Sequence, residues 1–226
     1  MPALSGRIQK APAGSKGFDT DVPLSLAKAK QFKDDGYVFC ARYISRLSTD
    51  DEVANGDLTR AEAENILNAG LGLMAVQHVS RTGWQPTGSK GTVYGNNAVN
   101  NAIFSGLPPG INVWLDLEDA LTGVDRAGLS DSDVINYCNN WFDRVSSAGY
   151  VPGVYVGFDA VLDSDQLFHS LNCQHYWRAP GDIPDIAVRG YQVTQPEIDI
   201  EVHGITIDVD ITKTDRLGGQ ALWLIR

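Results

Sequence analysis

Residues 111–120 read INVWLDLEDA, an apolar run that ends in Asp116, Glu118 and Asp119. Asp116 and Glu118 are two positions apart. On a strand, such side chains leave the same face with Cα atoms about 6.5–7 Å apart. Two carboxyls aimed into one small volume resist ionising together, so one of them is expected to hold its proton to higher pH than usual. A protonated acid beside an ionised one is the pair that glycoside hydrolysis uses: one protonates the leaving oxygen, the other stabilises the developing cation. Taken alone, Asp-x-Glu is a weak signal, because two acids at the solvated end of a strand also serve as surface charge or as caps for the next helix. Asp119 leaves the alternation and reads as the start of a loop.

The ends of other apolar runs strengthen the signal. GFDTDV carries Asp19, and ITIDVDI carries Asp208 and Asp210. Further runs contribute Arg42 and Tyr43, Tyr155, Trp177 and Gln192. Aromatic faces stack on pyranose rings and acids bond to hydroxyls, so this set suggests a sugar site. Tyr43, Tyr155 and Trp177 would be its walls.

These residues converge only if the elements bearing them are arranged for it. Strand-like runs fall at 17–22, 37–44, 72–79, 111–118, 151–157, 174–179, 188–194 and 205–211. Five helical patterns lie between the earlier ones. The clearest is LTRAEAENILNAG, with Thr59 as N-cap, Glu62 three positions on, Leu58 as staple and Gly70 as terminator. SDSDVINYCNNWFDRVSSAG places Val134, Tyr137, Cys138, Trp141 and Val145 on one face. Strands alternating with helices indicate βαβ units and a parallel sheet. The reading is an α/β fold: an irregular (β/α)8 TIM-like barrel whose helices are missing or degenerate in the C-terminal half. An open doubly wound sheet is the alternative. In a barrel the strand C-termini share one mouth, where the chemistry gathers. Residues 1–16 read as a flexible lead and 17–226 as one domain.

Bulk properties bound the partners. The 226 residues carry 28 acidic against 18 basic side chains, a net charge of −10 without a basic run, which argues against nucleic acid and anionic membrane surfaces. No stretch has the roughly 20 apolar residues of a membrane helix, and the N-terminus lacks the apolar core of a signal peptide. Cytoplasmic synthesis is the expectation, with release as a phage lysin or export by a dedicated machine. Cys40, Cys138 and Cys173 read as buried free thiols. The four histidines show no metal-ligand spacing, so no metal is expected. His78 reads as a hydrogen-bonded structural residue, and Trp84 as either packing or a sugar platform.

The order of the motifs GFDTD, LTRAEAENILNAGLGLMAVQ, INVWLDLE, GYVPGVYVG, HYWRA, GYQVT and IDVDIT resembles the glycoside-hydrolase-like family first described as domain of unknown function 1906. That family is related to the lysozymes of glycoside hydrolase family 25. The likeness runs from Gly17 to Thr212. It implies an N-acetylmuramidase cutting peptidoglycan glycan strands without a cofactor. By the same resemblance Glu118 is the general acid, Asp116 orients the acetamido group or stabilises the cation, and Asp19 is the first-strand acid. Asp210 or Asp208 is the last-strand acid, Asp210 fitting better. Non-catalytic glycan binding and a structural module with a degenerate site are the alternatives.

Overall fold

Short apolar strands buried on both faces need cover on each face, and this chain closes its sheet into a barrel. A computed structural model describes residues 2–47, 56–78, 84–120 and 129–226. Its strands are β1 (Arg7–Lys10), β2 (Lys16–Thr20), β3 (Phe39–Ile44), β4 (Gly72–Gln77), β5 (Asn112–Leu117), β6 (Val151–Val156), β7 (Tyr176–Arg178), β8 (Val193–Val202), β9 (Ile205–Thr212) and β10 (Leu222–Ile225). Strands β2 to β9 form a closed eight-strand barrel, because β5 pairs back onto β4 through Ala75–Val113, Val76–Trp114 and Gln77–Leu115. That pairing excludes the open sheet. Val79, at the end of the expected 72–79 strand, lies outside the described residues.

One strand departs from expectation. β2 to β8 run parallel, but β9 is antiparallel to both β8 and β2. The reason is the connection: His203 and Gly204 both adopt positive φ, 53° and 74°, in a two-residue hairpin turn. A parallel crossover needs a dozen residues or more, and VHGI cannot supply them. The 188–194 run also shifts. Residues 188–192 are turn and loop, and the strand occupies Val193–Val202.

Residues 7–10, expected in a flexible lead, instead form β1, paired antiparallel with β10 at the barrel base. β10 in turn meets β4 at Leu73 and sends Trp223 under the barrel, stacked on Phe39 with ring centroids 5.1 Å apart. Rings fill the interior where glycines leave room. A methyl group on Gly17 would overlap the Phe39 ring, and one on Gly153 the Trp114 ring. On Gly72 it would come within 2.9 Å of Trp223.

Outside the wall lie α1 (Leu26–Asp34), α2 (Arg60–Asn68), α3 (Gly88–Phe104), α4 (Asp131–Ser147) and α5 (Ser164–His169). Among the described residues no helix follows β7 or β8, as the fading pattern suggests. Thr59 caps α2 by accepting from the Glu62 N–H at 3.2 Å. The Glu62 carboxylate, however, turns away from the cap. It accepts from Arg42 Nε at 2.6 Å and from the Leu24 N–H at 2.8 Å. Arg42 therefore does not face the mouth. Strand alternation points it outward, where it also donates to the Thr20 and Gly56 carbonyls and is fully buried. This buried pair locks β2, β3 and α2 together. Glu62→Ala should leave the guanidinium uncompensated and cost about 3–5 kcal/mol, read as a lowered midpoint in urea unfolding.

Candidate functional site

A cleft of about 460 Å³ opens at the C-terminal ends of β2 to β5. Asp19, Asp116, Glu118, Asp208, Tyr43 and His78 line it, with Asp21 and Asp199 on the β8–β9 side. Asp116 and Glu118 do address one volume, as the two-residue spacing requires. A larger hollow, about 610 Å³, is lined by the loop after β7, the start of β8 and the segment after β9. Its arginines are committed to structure: Arg189 pairs with Asp215 at 2.8 Å, Arg216 pairs with Asp185, and Arg178 holds the Gly181 and Ile183 carbonyls. The clustered acids are in the smaller cleft.

Glu118 is half-buried just beyond the end of β5. Its backbone carbonyl accepts from Trp84 Nε1 at 3.0 Å, which makes Trp84 a buried packing residue. The chain then turns sharply through Asp119 at φ 52°, whose N–H donates to the Phe158 carbonyl at 2.9 Å. Gly157, next to β6, leaves the space that Glu118 occupies. A methyl group there would sit 2.7 Å from Glu118 Oε2. Burial, and then the charges of Asp119 and Asp208, raise the Glu118 carboxyl to about 7. The raised acid expected of the Asp-x-Glu pair is thus Glu118.

Asp19 faces Asp208 directly across the β2–β9 pairing. Burial, followed by the Asp208 charge, lifts Asp19 to about 7. Asp208 is also raised, chiefly by burial, while its Oδ1 accepts from the Asp199 N–H at 2.7 Å. Asp210 lies one layer deeper and is fully buried, its Oδ1 accepting from Trp177 Nε1 at 2.9 Å. Burial, and then the neighbouring Asp19 charge, raise its carboxyl well above the usual value. Two neighbouring buried carboxyls resist ionising together. Asp19 accepts from Gln195 and Tyr43 while Asp210 Oδ2 meets no donor, so the geometry favours Asp210 as the neutral member.

Because β9 runs antiparallel, the earlier of its two acids reaches the cleft. Asp208 lines it and Asp210 supports it from beneath. Trp177 is buried in the barrel centre against Tyr155, with centroids 5.1 Å apart, and offers no face to a sugar. Gln192 is not at the mouth. Its amide is used between β7 and the C-terminal loop, accepting from the Tyr176 N–H at 2.6 Å and donating to Gln174 O at 3.0 Å and to Asp215. Tyr43 is at the cleft, donating to Asp19 Oδ1 at 3.2 Å and stacked on His78 at 4.5 Å. His78 Nε2 is 2.8 Å from Asp57 Oδ1. Tyr155 sits just below, buried, with its hydroxyl on Gln195 Oε1 at 2.8 Å.

Gln195 is the site residue that sequence reasoning missed. Its Nε2 donates to Asp19 Oδ2 at 2.8 Å and to Asp208 Oδ2 at 3.3 Å. The alternation of Val193 and Gln195 on an extended β8 would have found it. The three cysteines are buried and unbridged. Among the described residues no group of His, Cys, Asp and Glu is arranged to hold a metal ion.

A barrel of this kind has counterparts among known proteins. The model of the Rv2525c-like, glycoside hydrolase-like domain matches residues 30–213. The chain belongs to that family. The likeness read from the motifs is thus borne out. Among curated proteins nothing matches. Among solved structures, the Tat-secreted protein Rv2525c of Mycobacterium tuberculosis, in complex with L-tartrate, superposes with a TM-score of 0.65 at 17% identity, covering 88% of this chain and 95% of that one. A muramidase from Trichobolus zukalii gives 0.60 at 14%, covering 87% and 92%. The catalytic domain of endolysin ply40, from bacteriophage P40 of Listeria monocytogenes, gives 0.56 at 16%, covering 89% and 94%. At such identities these structures establish a shared glycoside-hydrolase-like barrel.

Two outcomes follow from this geometry. The raised acids favour the folded state at low pH: their contribution is full below about pH 4 and is lost as pH rises through about 7. Thermal scans should therefore show Tm falling from pH 5 to pH 8. Asp210→Asn, which keeps a donor toward Asp19 without a proton to lose, should flatten that slope. Gly157→Ala should displace Glu118 and move its carboxyl titration, followed by carboxyl NMR, while circular dichroism stays native.

Proposed function

We propose that this domain hydrolyses the glycan strands of peptidoglycan as an N-acetylmuramidase. The observation that carries the reading is Glu118, half-buried and held protonated near neutral pH beside Asp116 in an open cleft. In this reading the Glu118 carboxylic acid gives its proton to the glycosidic oxygen as the C1–O bond breaks, and the leaving sugar departs as an alcohol. Asp116 faces the positive charge that develops at C1. Water then adds its hydroxyl to C1 and returns a proton to Glu118. Asp19 and Asp208 shape the donor subsite by accepting from sugar hydroxyls, and Tyr43 supplies a stacking face beside them. Asp210, Trp177 and Tyr155 act beneath, by fixing these groups rather than by touching sugar.

The muramidase and endolysin barrels support the substrate class. Such a substrate lies outside the cytoplasmic membrane. The Rv2525c relative is described as Tat-secreted, and export or lysis would bring this chain to the same side.

Digestion of purified peptidoglycan, with fragments read by mass spectrometry, tests the assignment. Wild type should release new muramic-acid reducing ends, with a rate that falls as pH rises through about 7. Glu118→Gln should lose about 10²- to 10⁴-fold or more of it. No release but retained pull-down of peptidoglycan would make the domain a glycan-binding barrel. Neither release nor binding would overturn the substrate.

A further inference from the structure

Gln195 makes three contacts with no slack among them. A primary amide has one acceptor oxygen and two N–H donors. Here the oxygen lies 2.8 Å from the Tyr155 hydroxyl, and the nitrogen lies 2.8 Å from Asp19 Oδ2 and 3.3 Å from Asp208 Oδ2. The side chain is buried, so water does not compete for these positions. Flipping the amide would turn its oxygen toward two carboxylates and its N–H groups toward Tyr155. The two carboxylates, which accept only, therefore select this orientation, and the Tyr155 hydroxyl, able to donate or to accept, anchors the oxygen end.

We propose that Gln195, anchored by Tyr155, is a positioning residue that ties Asp19 to Asp208 and holds the two acids side by side as acceptors facing the cleft. This rests on the reading of the cleft as the reacting site, yet its physical content is independent of any substrate. Without the amide, β2 and β9 would set two like charges opposite one another with nothing between them. With it, each carboxylate gains a donor, and the proton of the deeper pair stays on Asp210. The other groups around Asp19 are Tyr43 from β3, Asp116 from β5 and Glu118 just beyond it, Tyr155 from β6, and Asp208 and Asp210 from β9. Tyr43 also donates to Asp19, but no hydrogen bond joins it to Asp208 among the described residues. That difference makes it a control.

The test is carboxyl titration by NMR of the full chain carrying ¹³C-labelled aspartate, in wild type, Gln195→Met, Tyr155→Phe and Tyr43→Phe. Gln195→Met keeps the length of the side chain and removes its donors. It should move the titrations of both Asp19 and Asp208 upward, by about one pH unit for Asp19. Tyr155→Phe should move the same two in the same direction by less, and adding it to Gln195→Met should move them little further. Tyr43→Phe should move Asp19 alone. Unmoved titrations in a natively folded Gln195→Met would overturn the proposal. So would a Tyr155→Phe that shifts neither acid, since the hydroxyl would then not anchor the amide. Should Gln195→Met fail to fold, Tyr155→Phe and Gln195→Glu decide the matter, the latter by raising Asp19 and Asp208 through an added acid. Absence of peptidoglycan hydrolysis in wild type leaves these shifts in place and counts against the proposed function alone.

Discussion

Closing the barrel with an antiparallel strand sets Asp19 opposite Asp208, and most of the site's chemistry descends from that pairing. Like charges side by side in a poorly solvated interior oppose the fold unless protons or donors intervene. The protein uses both. Asp210 stays neutral below, and the Gln195 amide and Tyr43 hydroxyl face Asp19 from the sides. Glu118, across the cleft, feels the same accumulation of acid and is raised with them. The acids are thus one electrostatic unit built on β2, β5 and β9, not separate residues with separate values.

The wall that carries this unit is held from outside and below. Arg42 and Glu62 bind β2, β3 and α2 where the mouth begins. Trp223, brought under the barrel by β10, fills the base against Phe39. On the far side the His203–Gly204 turn leans on α1, with His203 Nε2 2.8 Å from Asp35 Oδ2 and Lys28 donating to the His203 carbonyl. The ribbon bearing Asp199 and Asp208 is thereby fixed as one wall of the cleft.

Much of this was legible in the sequence, and the failures have physical causes. Period-two runs located the barrel strands, and the capped helical pattern located α2. The Asp-x-Glu spacing identified two cleft acids, because side chains two apart on a strand must share a face. What periodicity does not reveal is direction. The two-residue His-Gly connection held that information, and overlooking it reversed the expected depths of Asp208 and Asp210. Trp177 and Gln192 were misplaced for a related reason. Being near the end of a strand does not distinguish a side chain that reaches the rim from one held in the barrel centre or below it. Ending the seventh strand at 194 hid Gln195. The segments forming β1 and β10 are short and partly exposed, too weakly patterned to announce themselves.

The interior glycines have an evolutionary corollary. Gly17, Gly72, Gly153 and Gly157 each vacate a volume that one neighbour fills: Phe39, Trp223, Trp114 and Glu118 in turn. Each is half of a two-residue shape, so neither half can drift alone. Lineages of this barrel should exchange such pairs together, a larger residue on one strand matched by a smaller one beside it. For Gly157 that freedom is narrower, since its counterpart is an ionisable carboxyl rather than an apolar filler, and its position should be the slowest of the four to change.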